Sequence, residues 1–123
     1  MVSIDLRDGF HHIKVNESFR DYLGFKCRID RVEKYCRYTV CPFGLCDVPW
    51  LFTKILSPLK KHWRSNRLAV AIYLDDTFHI SNTYKEAKDA GVHMTKDLIR
   101  AGAIWHTTKS VLEPTQSIEW IGM

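Results

Sequence analysis

The stretch "AVAIYLDDTFHIS", residues 69–81, constrains this chain more than any other. Six apolar residues lead into two adjacent aspartates, Asp75 and Asp76, and a second apolar-rich run leads out. The pattern predicts a β-hairpin with the acidic pair at its turn. Two carboxylates a few ångströms apart repel, and in a partly desolvated site they tend to retain a proton. A simple acidic turn is the commonplace explanation of such a pair. The alternative is a hard divalent cation such as Mg²⁺, which prefers carboxylate oxygens. Asp5 is the natural third carboxylate. "VSIDL" predicts a short strand with Ser3 and Asp5 on one face and Ile4 and Leu6 on the other, ended by the turn residues "RDG".

The rest of the chain supplies a scaffold for that hairpin. "FHHIKV" reads as an extended or short helical piece, and residues 22–41 as a hairpin with a polar centre between two β-prone arms. Asp47 is placed to cap a helix that carries Pro49 in its first turn. Leu51, Ile55 and Leu59 share one face of it, Phe52 and Leu56 lie beside them, and Pro58 is expected to kink or interrupt it. Thr83 to Glu86 is a capping box. It opens a helix with Ala87, Ala90, Met94, Leu98 and Ala101 at helical spacing, and Gly102 stands ready to end it. "AIWH" and "SIEWIGM" are expected to close the chain as short strands. The expected order is β-β-β-α-β-β-α-β-β: an α+β domain in which two helices cover an antiparallel sheet.

At 123 residues, 46% hydrophobic and 26% charged, the chain is sized for one globular domain. No run is long or apolar enough to span a bilayer, so no membrane partner is expected. No signal peptide is visible either, which leads to the expectation of an intracellular protein, cytoplasmic or nuclear, that is not secreted. The net charge of +4 permits nucleic acid as a partner without demanding it. Val48 to Leu74 holds no acid but carries Lys54, Lys60, Lys61, Arg64 and Arg67, a stretch that reads equally as a solvated face or a phosphate-facing one. Cys27, Cys36, Cys41 and Cys46 form no C-x-x-C pair, so they do not read as a zinc site, and reduced, partly buried thiols are expected.

Five blocks, "SIDLRDGFHHIKV", "CPFGLCDVPWLFTKIL", "AIYLDDTFHIS", "AGAIWHTTKSVLEP" and "IEWIGM", stand in the order and at the approximate spacing of consecutive palm motifs of reverse transcriptases. The chain most resembles the polymerases of retrotransposons of the gypsy type and especially the DIRS type. The resemblance implies a polymerase palm with a ferredoxin-like core and a partial fingers insertion at about 16–40. It also implies that the N-terminal fingers strands, the thumb and any ribonuclease H domain lie outside this chain.

By that resemblance the reaction is two-metal nucleotidyl transfer from a dNTP to a primer 3′-hydroxyl on an RNA or DNA template. Asp5 and Asp75 would bind two Mg²⁺ ions, with Mn²⁺ as a substitute, and Asp76 would support them. Lys109 aligns with a proton donor to the leaving pyrophosphate. The amides around Asp8 and Gly9 would hold the triphosphate, and Phe10 would exclude a 2′-hydroxyl. Phe43 and Gly44, in "PFG", would lie over the nucleotide and template, with Tyr73 and Leu74 at the primer end and the nucleotide. Trp120, Ile121 and Gly122 match the primer grip. Each has a plainer reading alone: Phe10 and Trp120 as core aromatics, Lys109 as an exposed turn lysine. Two competitors stand beside the polymerase. One is a non-catalytic palm remnant with at most weak nucleic-acid binding. The other is a receiver domain, which also uses an acidic pair, a further aspartate and a lysine, but in another order on a parallel α/β fold.

Overall fold

The computed structural model describes residues 1–122. Its centre is a three-stranded sheet of order β1-β5-β4, with β1 at Val2–Asp5, β4 at Ala69–Tyr73 and β5 at Asp76–Ile80. Both pairings are antiparallel, and the register sets Val2 opposite His79, Ile4 opposite Thr77 and Asp5 opposite Asp76. Because side chains alternate across a strand, this register sorts the sheet into two faces. Val2, Ile4, Val70, Thr77 and His79 are buried on one. Ser3, Asp5, Phe78, Asp76, Ala71 and Tyr73 share the other. The antiparallel pairing excludes the receiver domain, whose sheet is parallel.

Two helices cover the buried face. The first, α1 at Val48–Ser65, carries Pro49 in its opening turn as expected, but the Asp47 side chain makes no cap hydrogen bond. Pro58 is accommodated inside α1, which runs on for another two turns. The buried stripe of α1 is Val48, Phe52 and Trp63, with Leu56 and Leu59 packed beside them. Leu51 and Ile55 are exposed, so the core-facing stripe is rotated from the one the spacing predicted. Fully buried Trp63 fixes that rotation, because its large ring decides which face turns inward.

The second helix, α2 at Tyr84–Arg100, opens with the predicted capping box, in which Thr83 and Glu86 satisfy each other's backbone amides. It ends in a Schellman arrangement. The Gly102 amide donates to the Ile99 carbonyl and the Ala103 amide to that of Leu98, with Gly102 at φ +75°. Ala87, Ala90, Met94 and Leu98 are buried as their spacing predicted, whereas Ala101 is exposed at the cap.

A separate two-stranded sheet, β2 at Gly24–Ile29 and β3 at Val32–Arg37, forms the hairpin predicted within 22–41. "FHHIKV" begins as a short 3₁₀ turn, Gly9–His12. The last segment departs from expectation. "AIWH" and "SIEWIGM" form no strands, and Met123 lies outside the described residues. Residues 105–111 instead bridge the free edge of β1 at two points, Ser3 with Val111 and Leu6 with Trp105. Those bridges satisfy a strand edge without the regular ladder that a strand assignment needs.

Candidate active site

The β4–β5 turn is two residues long. Its central residues are Leu74 and Asp75, while Asp76 is already the first residue of β5. Leu74 sits at φ +51°, a left-handed conformation that costs a residue of its size on the order of 1–2 kcal/mol. Such an outlier persists only where its surroundings over-determine it. Here the Asp75 carbonyl accepts the Leu6 amide at 2.9 Å, which ties the turn to the end of β1.

Asp5 and Asp76 are direct cross-strand partners on the open face, with Tyr73 next to Asp76 on the other side. The backbone of Asp5 is anchored twice from the last segment. The Ser110 hydroxyl accepts its amide at 3.1 Å, and its carbonyl accepts the His106 amide at 2.8 Å. All three aspartates are half-buried. Burial pushes the Asp76 carboxyl above the ordinary carboxylate range, the Asp75 and Asp5 charges push it further, and Lys109 pulls the other way. Lys109 is therefore within electrostatic reach of the acidic cluster, on an exposed side chain.

The loop after β1 packs directly beneath the turn. Asp8 is left-handed at φ +50°, and its carboxylate faces Arg7 at 3.5 Å. Buried Gly9 lies so close to its neighbours that an added Cβ would meet Phe52 Cζ at 2.9 Å and Asp75 Cβ at 3.3 Å. Glycine is thus required there chiefly by the approach of the Phe52 ring, with Asp75 close behind. Phe10 is half-buried, with its ring centroid 5.1 Å from Phe43 and 5.4 Å from Phe52. Phe43 is exposed, and Gly44, at φ +97°, has open space around it. Trp120 stacks on Phe78, ring centroids 5.5 Å apart, one alternation along β5 from Asp76. Its indole N–H is buried and finds no acceptor among the described residues. Ile121 and Gly122 follow it, exposed, both at positive φ.

The fold therefore gathers Asp5, Asp75, Asp76, Lys109, Tyr73, Leu74, Gly9 and Phe10 at one end of the sheet, with Phe43 beside Phe10. The sequence reading missed the residues that hold this loop in place. His12 Nδ1 lies 3.1 Å from the Gly9 carbonyl, and its Nε2 accepts the Ile104 amide at 3.0 Å, clamping the Asp8–Gly9 turn to the last segment. Ser110 fixes Asp5 and Phe52 backs Gly9. The only sequence signal for them is their neighbourhood to "TTKS", "RDGFHH" and "PWLF".

The donor chemistry fits hard divalent cations: three carboxylates share one end of the sheet, and the Asp76 carboxyl is raised by burial first and by the other two charges next.

Comparison with known proteins agrees with this geometry. The family model described as "Reverse transcriptase (RNA-dependent DNA polymerase)" matches residues 1–123. A "Putative enzymatic polyprotein" of Cassava vein mosaic virus is 25% identical over 121 residues, which is 97% of this chain and 17% of that polyprotein. Among solved structures, the foamy viral protease-reverse transcriptase in complex with RNA/DNA hybrid superposes with a TM-score of 0.81 at 24% identity, over 98% of this chain and 15% of that one. The same viral protein in complex with double-stranded DNA gives 0.82 at 23% identity, over 98% of this chain and 20% of that one. The chain spans less than a quarter of each of these relatives. The structural likenesses establish its fold as the polymerase palm, α+β with helices on one face of an antiparallel sheet.

Proposed function

This chain belongs to the reverse transcriptase family, and from that premise we propose that it is the palm of a retroelement's RNA-directed DNA polymerase, extending a primer 3′-hydroxyl with dNTPs on an RNA or DNA template. The observation that carries the reading is the Asp5–Asp76 register, which sets two carboxylates on the sheet's open face at the end where Asp75 stands in the turn. In this reading Asp5 and Asp75 hold two Mg²⁺ ions and Asp76 supports them. Bound there, the metals supply charge neutralisation at the α-phosphate and the leaving pyrophosphate, and lower the proton affinity of the attacking hydroxyl.

The remaining roles belong to the chain's own groups. Backbone amides at Asp8 and Gly9 face the triphosphate, where glycine lets the chain come close to anionic oxygens. Phe10, packed against Phe43 and Phe52, acts as a steric selector of deoxynucleotides against a 2′-hydroxyl. Phe43 and Gly44 lie over the nucleotide and template. Exposed Tyr73 and strained Leu74 meet the primer end and the nucleotide. Exposed Lys109 gives a proton to pyrophosphate as it leaves. Trp120, Ile121 and Gly122 position the primer. The Gly24–Arg37 hairpin, within residues 16–40, is part of the fingers, and other fingers strands, a thumb and a ribonuclease H belong to the parent polyprotein. The five ordered blocks favour a retrotransposon element of gypsy or DIRS type, working in the cytoplasm or nucleus.

Primer extension on poly(rA)/oligo(dT) with Mg²⁺ and with Mn²⁺ tests this reading, with Asp75→Asn beside the unaltered chain. Extension should fall by about a thousandfold in the variant, the scale of losing a principal electrostatic contributor at a transition state. No extension by either protein, or equal extension by both, overturns the assignment of polymerase chemistry to these residues.

A further inference from the structure

A second set of metal-ligating side chains lies near the far end of α1, ten residues or about 15 Å along the helix from Phe52, which backs Gly9 at the acidic end of the sheet. His62 projects from the last turns of α1. His93 and Asp97, spaced i,i+4, share one face of α2. The ring nitrogens and carboxylate oxygen of these three residues lie within 4.8 Å of one another. Asp97 Oδ2 is the hub, 3.2 Å from His93 Nε2 and 3.5 Å from His62 Nε2. The two imidazoles stack nearly parallel, ring centroids 5.9 Å apart.

We infer that His62, His93 and Asp97 form a site for a divalent transition-metal cation of the zinc type, which staples α1 to α2 behind the sheet. Two imidazoles and one carboxylate form a donor set that suits zinc and its neighbours rather than Mg²⁺. The spacing suits it too. Metal–ligand bonds of about 2.0–2.1 Å in a tetrahedron place neighbouring ligand atoms roughly 3.3–3.4 Å apart. The two oxygen-to-nitrogen spans, 3.2 and 3.5 Å, bracket that edge.

The carboxylate is also oriented as a ligating carboxylate should be. Asp97 is only 11% exposed, and its Oδ2 accepts the indole N–H of fully buried Trp63 at 2.9 Å. A buried donor that fixes a ligand's orientation is characteristic of the surroundings of metal sites. Arg100 Nη1 stands 3.8 Å from Oδ1, but its side chain is 81% exposed and free to swing away from an incoming cation. Asn66 Nδ2, 3.4 Å from His62 Nε2, is mainly bonded to the His62 carbonyl and need not compete.

Access is open. Both imidazoles are about half exposed, and His93 lines a cleft of about 800 Å³ between α2 and the β4–β5 hairpin. Three protein ligands would leave a fourth position for water. A cation that binds the folded chain and not the unfolded one raises its stability by mass action. The inference does not depend on the polymerase reading, because none of the three residues has a role in it.

The test is Zn²⁺ titration of the 123-residue chain in competition with a chromophoric chelator, with thermal melts in parallel. Co²⁺ titration, read by its visible ligand-field bands, reports the coordination number. His62→Gln and His93→Gln remove ligands from half-exposed positions and should leave the helix content unchanged. The triple variant Asp5→Asn, Asp75→Asn, Asp76→Asn removes the sheet carboxylates. The unaltered chain and the triple variant should bind a single Zn²⁺ with the same affinity, and both should melt higher with it. Each histidine variant should bind at least about a hundredfold more weakly, beyond the effect of losing an outer partner alone, and gain no melting temperature from zinc. Absence of zinc binding overturns the site. So does binding that survives both histidine substitutions, which would move the metal to other donors such as the Cys27 and Cys36 thiols, 3.4 Å apart.

Discussion

The β4–β5 hairpin turns through Leu74 and Asp75, and the β2–β3 hairpin through Asp30 and Arg31. In the second, both central residues have positive φ, +51° and +66°, the pattern of a type I′ turn whose twist matches its strands. Several of its charges are paired in solvent: Lys26 and Arg28 with Glu33, and Arg37 with Asp21. Pairs this exposed contribute little. The β4–β5 hairpin is the reverse. It is anchored in the core through Val70, Thr77 and His79. A bulky leucine occupies its left-handed position. Asp5, Asp75 and Asp76 take part in no ion pair among the described residues, and Asp76 resists ionisation. Both turns carry left-handed residues, but one stands in water, while the other sets its strain and three carboxylates without an ion-pair partner among the described residues on strands anchored in the core. Local rules broken on a rigid scaffold mark the place where function has been built.

The sharpest way to probe that contrast is to add one carbon to each region. At Gly9 a methyl would meet Phe52 Cζ at 2.9 Å, and Phe52 is only 2% exposed and cannot withdraw. Gly9→Ala should cost about 1–3 kcal/mol in urea unfolding, the usual range for an overpacked site. Gly24, at φ −73°, ψ 143°, has nothing closer than 3.8 Å to a new Cβ. Gly24→Ala should therefore be neutral or stabilise by about 0.4–1 kcal/mol. Equal losses at the two positions would remove the distinction between a tightly built end and a loose one.

A smaller effect separates the charges. The Asp76 carboxyl is raised in the folded chain by burial first and by Asp75 and Asp5 next. A raised folded value means that its contribution to stability is present below the ordinary carboxylate range, near pH 4, and lost as pH rises through the raised value. At neutral pH its charge works against folding. Asp76→Asn should melt about one or two degrees higher at pH 7, and that gain should vanish near pH 4. Millimolar Mg²⁺ should narrow the gap by neutralising the cluster in the unaltered chain. Asp21→Asn, which removes the exposed partner of Arg37 in the β2–β3 hairpin, should shift melting little at either pH. A lower melting temperature for Asp76→Asn at pH 7 would mean that the carboxylate is stabilised by partners other than those identified.

These contrasts also explain what could be read from sequence. The alternation of "VSIDL", the apolar run "AVAIY" before the acidic pair, the Thr83–Glu86 box and Gly102 are local signals, and each produced the element it predicted. The grouping of Asp5 with the acidic pair followed from strand ends and family order together. Three features were not local. The inward stripe of α1 is set by Trp63, which competes with Leu51 and Ile55 for the core and wins by size. Residues 104–122 carry β-prone residues, yet they meet β1 at isolated points, because contact with one edge does not require a continuous ladder. The His62, His93 and Asp97 group joins two helices about thirty residues apart in sequence, so only its His-x-x-x-Asp half was visible along the chain.

The smallest expected change asks whether strain at the acidic tip serves a purpose. Leu74 and Arg31 both occupy the left-handed region. Glycine relieves about 1–2 kcal/mol there and gives back roughly 0.5–1 kcal/mol through the flexibility of the unfolded chain. Leu74→Gly and Arg31→Gly should thus each stabilise the fold by about 0.5–1 kcal/mol, and stability alone does not separate them. Primer extension does. The Leu74 backbone enters the turn that delivers Asp75, and a glycine there lets the turn relax into conformations that move the carboxylate away from Asp5. Extension should drop severalfold in Leu74→Gly and stay level in Arg31→Gly. If Leu74→Gly keeps full extension while gaining stability, the leucine's conformation is an accident of packing. The rigidity of the acidic tip would then rest on Gly9, Phe52 and the Leu6–Asp75 hydrogen bond alone.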